Sequence, residues 1–184
     1  PFGISISNQK TLYNLPSMPE ENLIDFIQNP KNDISINPEY KWVKSYFGSQ
    51  APNYSLLTTG DTPIFGIGFD INPGKFIFST NYGLSQRAIE SDATFNIVGA
   101  YKQKILATRI GYGKIDGPKF TLNFVKVKDD INSVINTPLY DDPIEGITIA
   151  PLIELNIKEK ILFKTETAAS IFTSNLNNTF TIND

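Results

Sequence analysis

The sequence predicts an all-β fold: an antiparallel up-and-down meander forming all or part of a transmembrane β-barrel, with a short N-terminal helix. Three observations carry this prediction. Large apolar and small polar residues alternate over stretches longer than an ordinary strand, as in FDINPGKFIFSTNYGLSQ (Phe69–Gln86), and alternation sends the two sets to opposite faces. The polar set is rich in Gly, Ala, Ser and Thr with few Lys and Glu, as a crowded interior would be. Short and long connections also alternate, so a meander collects tight turns at one end and long loops at the other.

Phe2, Ile4 and Ile6 alternate as a short strand. In SMPEENLIDFIQNP, Ser17 suits an N-cap, Glu20 completes a capping box, Pro19 sits in the first turn and Pro30 stops the helix. Its stripe of Leu23, Ile24, Phe26 and Ile27 is more suited to packing on a core than to anchoring in a membrane. Short strands follow, broken at Pro38 and Pro52, with Trp42, Lys44 and Tyr46 on one face.

The pattern then becomes regular. Phe65, Ile67, Phe69 and Ile71 alternate with Gly66, Gly68 and Asp70, and Asn72-Pro73-Gly74 makes a tight hairpin turn. Phe76, Phe78, Thr80, Tyr82 and Leu84 oppose Ile77, Ser79, Asn81, Gly83 and Ser85. Leu106, Thr108, Ile110 and Tyr112 oppose Ile105, Ala107, Arg109, Gly111 and Gly113. After the turn Ile115–Pro118, Phe120, Leu122 and Phe124 oppose Thr121, Asn123 and Val125. Ile147, Ile149, Pro151, Ile153, Leu155 and Ile157 form one face of the next strand, with Thr148, Ala150, Glu154 and Asn156 opposite. Beyond a turn near Lys158–Lys160, ILFKTETAASIF reads as one more strand, with Lys164 and Glu166 on its second face. The long links run roughly from Arg87 to Gly99 and from Asp129 to Gly146.

Composition removes many function classes. The 16 Lys and Arg are scattered, so nucleic acid is not an expected partner. Without Cys there is no disulfide or thiolate chemistry, and without His there is no histidine triad, HExxH helix or ordinary zinc site. The expectation is a protein that is not an enzyme and carries no cofactor or metal. No apolar run is long enough for a transmembrane helix, but a barrel strand exposes only alternate residues to lipid and gives a weak hydropathy signal. Pro1 follows no charged n-region or apolar h-region, which leaves a removed signal peptide or none.

Candidate site residues follow from the faces. Arg109, Glu154, Lys164 and Glu166 fall on the polar face and are expected to line a lumen, where opposed charges set a transverse field or fill a closed interior as ion pairs. Phe76, Phe78, Leu122, Phe124 and Ile153 are expected to face lipid. Tyr82, Tyr101 and Tyr112 fall near strand ends, where aromatic girdles sit. The acidic loop residues Asp129, Asp130, Asp141, Asp142 and Glu145 are numerous enough to suggest Ca²⁺, but their spacing matches no EF-hand and a solvated loop is the favoured reading. Glu154 and Glu166 are a formal carboxylate pair for glycoside hydrolysis, with nothing further to support it.

The segments EYKWVKSYFGSQAPNYS, GDTPIFGIGFDINPGKFIFSTNYGLSQRAI and GAYKQKILATRIGYGKIDGPKFTLNFVKVKDDINSV resemble the β-barrel outer-membrane proteins of Bacteroidota, over roughly Asn37 to Thr173. The resemblance implies a barrel in the bacterial outer membrane, with membrane lipid and other envelope proteins as partners, and brings no catalytic residues. The chain departs from the group by ending in TFTIND, without a terminal aromatic strand. Residues 1–184 are therefore expected to be a single barrel domain or the N-terminal part of a larger one, with residues 1–37 less regular and 38–184 a β-meander. A pore, a scaffold or a component of an envelope complex fits this reading. A soluble secreted or surface β-sandwich is the alternative, since sandwiches alternate in the same way.

Overall fold

The computed structural model describes residues 2–7, 33–138, 142–157, 161–173 and 175–176. These form ten strands: β1 (Phe2–Ser7), β2 (Asp33–Tyr40), β3 (Val43–Gln50), β4 (Ile64–Ile71), β5 (Phe76–Gln86), β6 (Lys102–Gly113), β7 (Lys119–Asp130), β8 (Glu145–Ile157), β9 (Ile161–Glu166) and β10 (Ala169–Thr173). All pair antiparallel in one sheet, each strand from β1 to β8 beside its sequence neighbour. The sheet does not close on itself: β1 forms one edge, and β9 and β10 the other. The helix expected between Ser17 and Pro30 lies outside the described residues.

Two proline positions depart from expectation for one physical reason. ILFKTETAASIF, expected as one strand, is split into β9 and β10, although both pair with β8 in a single continuous register, Glu166 opposite Leu152 and Ala169 opposite Ile149. The gap at Thr167 faces Pro151. Thr167 N donates to the Pro151 carbonyl at 3.3 Å, but a proline has no N–H to return the bond, so the ladder lapses. Pro38 was expected to break a strand, yet β2 runs through it, paired with Phe2 of β1. Only the pairing toward β3 is interrupted there, between Ile36–Phe47 and Glu39–Lys44. The regular sheet thus begins at Asp33, ahead of the expected boundary at 38.

The connections segregate as the sequence predicts. The β2–β3, β4–β5, β6–β7 and β8–β9 links share one end of the meander, and the three of them within the described residues span only 41–42, 72–75 and 114–118. The opposite end carries the long links, among them 51–63, 87–101 and 131–144.

The two faces differ in burial and in composition. Ser79, Asn81, Thr121 and Asn123 are buried together with Ile77, Ile105, Ala107, Val125, Ala150 and Leu152. The opposite face, with Phe76, Tyr82, Ile110, Leu122, Ile149 and Ile153, is exposed. Scattered exposed apolar residues are ordinary, but a continuous apolar face backed by buried polar residues is not. The buried face is covered in part by loop 51–63, whose Tyr54 packs with Ile64, Ile105, Ala107 and Val125. Leu57 N of this loop donates to Glu166 Oε1 of β9 at 3.2 Å. The loop thus links the β4 side of the inner face to the edge strand β9.

Candidate functional site

Alternation sends Tyr46 and Gln50 of β3, Asp70 of β4, Ser79 and Asn81 of β5, and Arg109 of β6 to the inner face. There Tyr46, Gln50, Asp70, Asn81 and Arg109, with Tyr54 of loop 51–63, line a cavity of about 190 Å³, and Ser79 lies beneath Arg109. Antiparallel register makes the cluster possible. Gly68 stands opposite both Tyr46 and Asn81, and a Cβ there would collide with the side chains of Asn81 and Gln50. Glycine is therefore what lets the neighbouring strands' side chains fold over β4. Tyr46 Oη donates to Asp70 Oδ2 at 2.6 Å. Arg109 Nη2 donates to Ser79 Oγ at 3.0 Å, and its guanidinium lies 4.8 Å from the Tyr54 ring centroid, a cation–π contact. Asn81 Nδ2 donates to Tyr54 Oη.

The inner face remains polar beyond these bonds. Gln50 Nε2, Asn81 Oδ1, Arg109 Nε, Thr121 Oγ1 and Asn123 Oδ1 are buried with no protein partner among the described residues. Buried groups of this kind need water or a further polar partner to offset their desolvation.

Of the expected lumen residues, Arg109 stands apart from Glu154, Lys164 and Glu166, which neighbour one another on β8 and β9. Arg109 is in the cluster just described. Glu154 pairs with Lys119, 3.3 Å away and largely shielded from solvent. Lys164 stands opposite Glu154 in register but is exposed on the edge strand. Glu166 is held by the Leu57 amide, and its partner across the ladder is Leu152. Glu154 and Glu166 are thus each engaged by another group, a lysine and a backbone amide. Lys44 and Tyr46 do share the inner face, their side chains in cation–π contact at 5.0 Å, whereas Trp42 sits in the β2–β3 turn.

Of the residues expected to face lipid, Phe76, Leu122 and Ile153 are 42%, 40% and 37% exposed on the outer face. Phe78 and Phe124 share that face, half-buried among their neighbours. Outward positions Ile147 to Leu155 of β8 cover about 27 Å along the strand at roughly 3.4 Å per residue. At the roughly 40° tilt of membrane-barrel strands this length would correspond to about 21 Å of height. At the loop end the outer face becomes charged, beginning with Lys126 opposite Ile147: Glu145 pairs with Lys126 at 2.8 Å and Lys128 at 2.9 Å, and Lys104 with Asp130 at 3.4 Å.

The acidic loop is engaged in holding itself together. Asp129 accepts from Gln103 Nε2 and from Ile144 N, both at 2.9 Å, and Asp130 caps the short 3₁₀ turn Ile131–Ser133 through Asn132 N. Asp142 is exposed, and Asp141 lies outside the described residues. Among the described residues no group of acidic side chains is arranged to hold a metal ion. Loops 87–101 and 131–144 are clasped by Glu90, which accepts from Asn136 N at 2.9 Å and from Ile135 N at 2.9 and 3.1 Å. These bonds hold its carboxyl below the ordinary glutamate range. A depressed folded-state value means the clasp contributes above the unfolded value, about 4.3, and is lost as pH falls through the lower folded value. The amide shifts of Asn136 and Ile135 should therefore titrate together below about pH 4.3, and Glu90→Gln should abolish that titration. Amides that ignore acid in the parent protein would contradict the clasp.

No protein-family model, no curated protein and no solved structure matches this chain.

Proposed function

We propose that this chain builds the wall of a β-barrel in the bacterial outer membrane, of the kind the Bacteroidota resemblance implies, and that it serves as a scaffold or envelope-complex component with a crowded, hydrated lumen. The observation that carries this reading is the contrast between the two faces: an exposed apolar band outside, and buried Ser, Thr and Asn with part-buried Arg109 inside. Only a solvent that is apolar outside and polar inside stabilises both faces at once. The end-to-end segregation of turns and loops adds independent support. Loop 51–63 lying across the inner face favours a filled lumen over a wide pore. Free edges at β1 and at β9–β10 cannot stand in lipid, so strands beyond these ten complete the barrel. A soluble sandwich needs a second sheet against Phe76, Leu122 and Ile153, and every described strand belongs to the one sheet.

The test is fractionation of the natural full-length protein, followed by electrophoresis of the detergent extract with and without boiling. The expected result is recovery in the outer-membrane fraction and a band that shifts on boiling. Recovery in the soluble fraction without detergent would replace the barrel with a binding module.

A further inference from the structure

At the tight-turn end of the outer face an apolar groove of about 430 Å³ runs between the β4–β5 and β6–β7 turns, floored by Tyr112, Phe120, Ile153 and Leu155 and rimmed by Lys75 and Lys114. The floor follows from register, since Tyr112 faces Phe120 and Phe120 faces Ile153, all on the outward side. The rim is cationic and uncommitted. Neither Lys75 nor Lys114 has a carboxylate partner among the described residues. Lys75 instead lies 5.9 Å from the Tyr112 ring centroid. A third lysine of the groove, Lys119, is neutralised by Glu154. Asp116 of the β6–β7 turn lines a neighbouring groove that Lys114 also borders, and does not line this one.

We infer that this groove binds a phospholipid with an anionic headgroup, its phosphate between Lys75 and Lys114 and an acyl chain along Phe120, Ile153 and Leu155. The assignment rests on the barrel reading and commits to membrane lipid because cationic rim and apolar floor are continuous. A free anion would use only the rim. Juxtamembrane lysines attract anionic lipid, each by roughly five-fold in affinity, and two together by about thirty-fold.

The test uses the full chain in detergent, equilibrated with equal amounts of phosphatidylglycerol and phosphatidylcholine and read by native mass spectrometry. Retention of phosphatidylglycerol over phosphatidylcholine by about five- to thirty-fold is expected, falling as salt is raised. Lys75→Gln with Lys114→Gln should bring retention to parity, while Lys102→Gln with Lys104→Gln at the far end should leave it unchanged. The boiling shift of each variant checks that it is folded, and the salt dependence of the parent protein stands if the double variant is not. Equal retention of both lipids by the parent, a preference insensitive to salt, or one that survives in the folded double variant would overturn the assignment. Flotation with vesicles separates the two levels. A protein that floats but does not discriminate sinks the lipid site alone, and one that does not float sinks the barrel with it.

Discussion

Leu122→Arg is expected to cost about 2–4 kcal/mol of membrane-embedded stability and to deplete the protein from the membrane fraction. Leu122 lies on the outer face of β7, between Ile110 of β6 and Pro151 of β8, inside the apolar band and 40% exposed. The magnitude separates lipid from water, and the fraction in which the parent protein is found separates lipid from the core of a sandwich. At a half-exposed position in water the same change is usually worth within about 0.5 kcal/mol, whereas in lipid a guanidinium must drag water inward or reach for the headgroups. Ile131→Arg is the control, equally exposed but in the loop beyond β7, and should assemble like the parent. If Leu122→Arg and Ile131→Arg behave alike, the outer face is not in lipid.

Gly66→Val should be the most damaging single change inside the sheet. Gly66 of β4 and Gly83 of β5 stand directly opposite each other. A Cβ on Gly66 would collide with the Tyr82 carbonyl and would lie 2.6 Å from Gly83 Cα. Both obstacles are backbone, so no rotamer relieves the contact and the strands must part. Overpacking of this kind costs about 1–3 kcal/mol and occasionally more, and a β-branched residue forced against a neighbouring strand belongs at the upper end. The measurement is the urea midpoint of the heat-shifted band, which should fall sharply. An unchanged midpoint would mean that the two strands are not so close.

Most of the sheet was legible because period 2 runs along each strand from β4 to β8. Turn chemistry did the rest, with Asn72-Pro73-Gly74 and Asp116-Gly117-Pro118 marking one end of the meander. What was misread depended on partners that sequence does not name. Pro38 reads as a break, but β1 pairs along it on one side. The strand from Ile161 reads as continuous, but Pro151 on a different strand interrupts it. The inner cluster was the least legible part. Arg109 signalled itself as a lone cation among small residues, and Asp70 offered the same signal as a lone anion in an apolar strand. Tyr54 gave none, since it lies in a loop without periodicity after Pro52, and Asn81 meets it only because Gly68 leaves room across the ladder. Glu154 and Glu166 look paired in sequence, yet register gives each a different partner.

The central claim is that opposite faces of one sheet meet lipid and water, and the absence of Cys from the chain allows it to be read directly. Single cysteines placed in turn at Phe120 through Val125, spin-labelled and reconstituted in bilayers, report collisions with apolar oxygen and with a water-soluble nickel complex. The account predicts oscillation with period 2, with Phe120, Leu122 and Phe124 favouring oxygen, and Thr121, Asn123 and Val125 shielded from it. A flat profile, or one in which the outward positions meet the nickel complex freely, would contradict it.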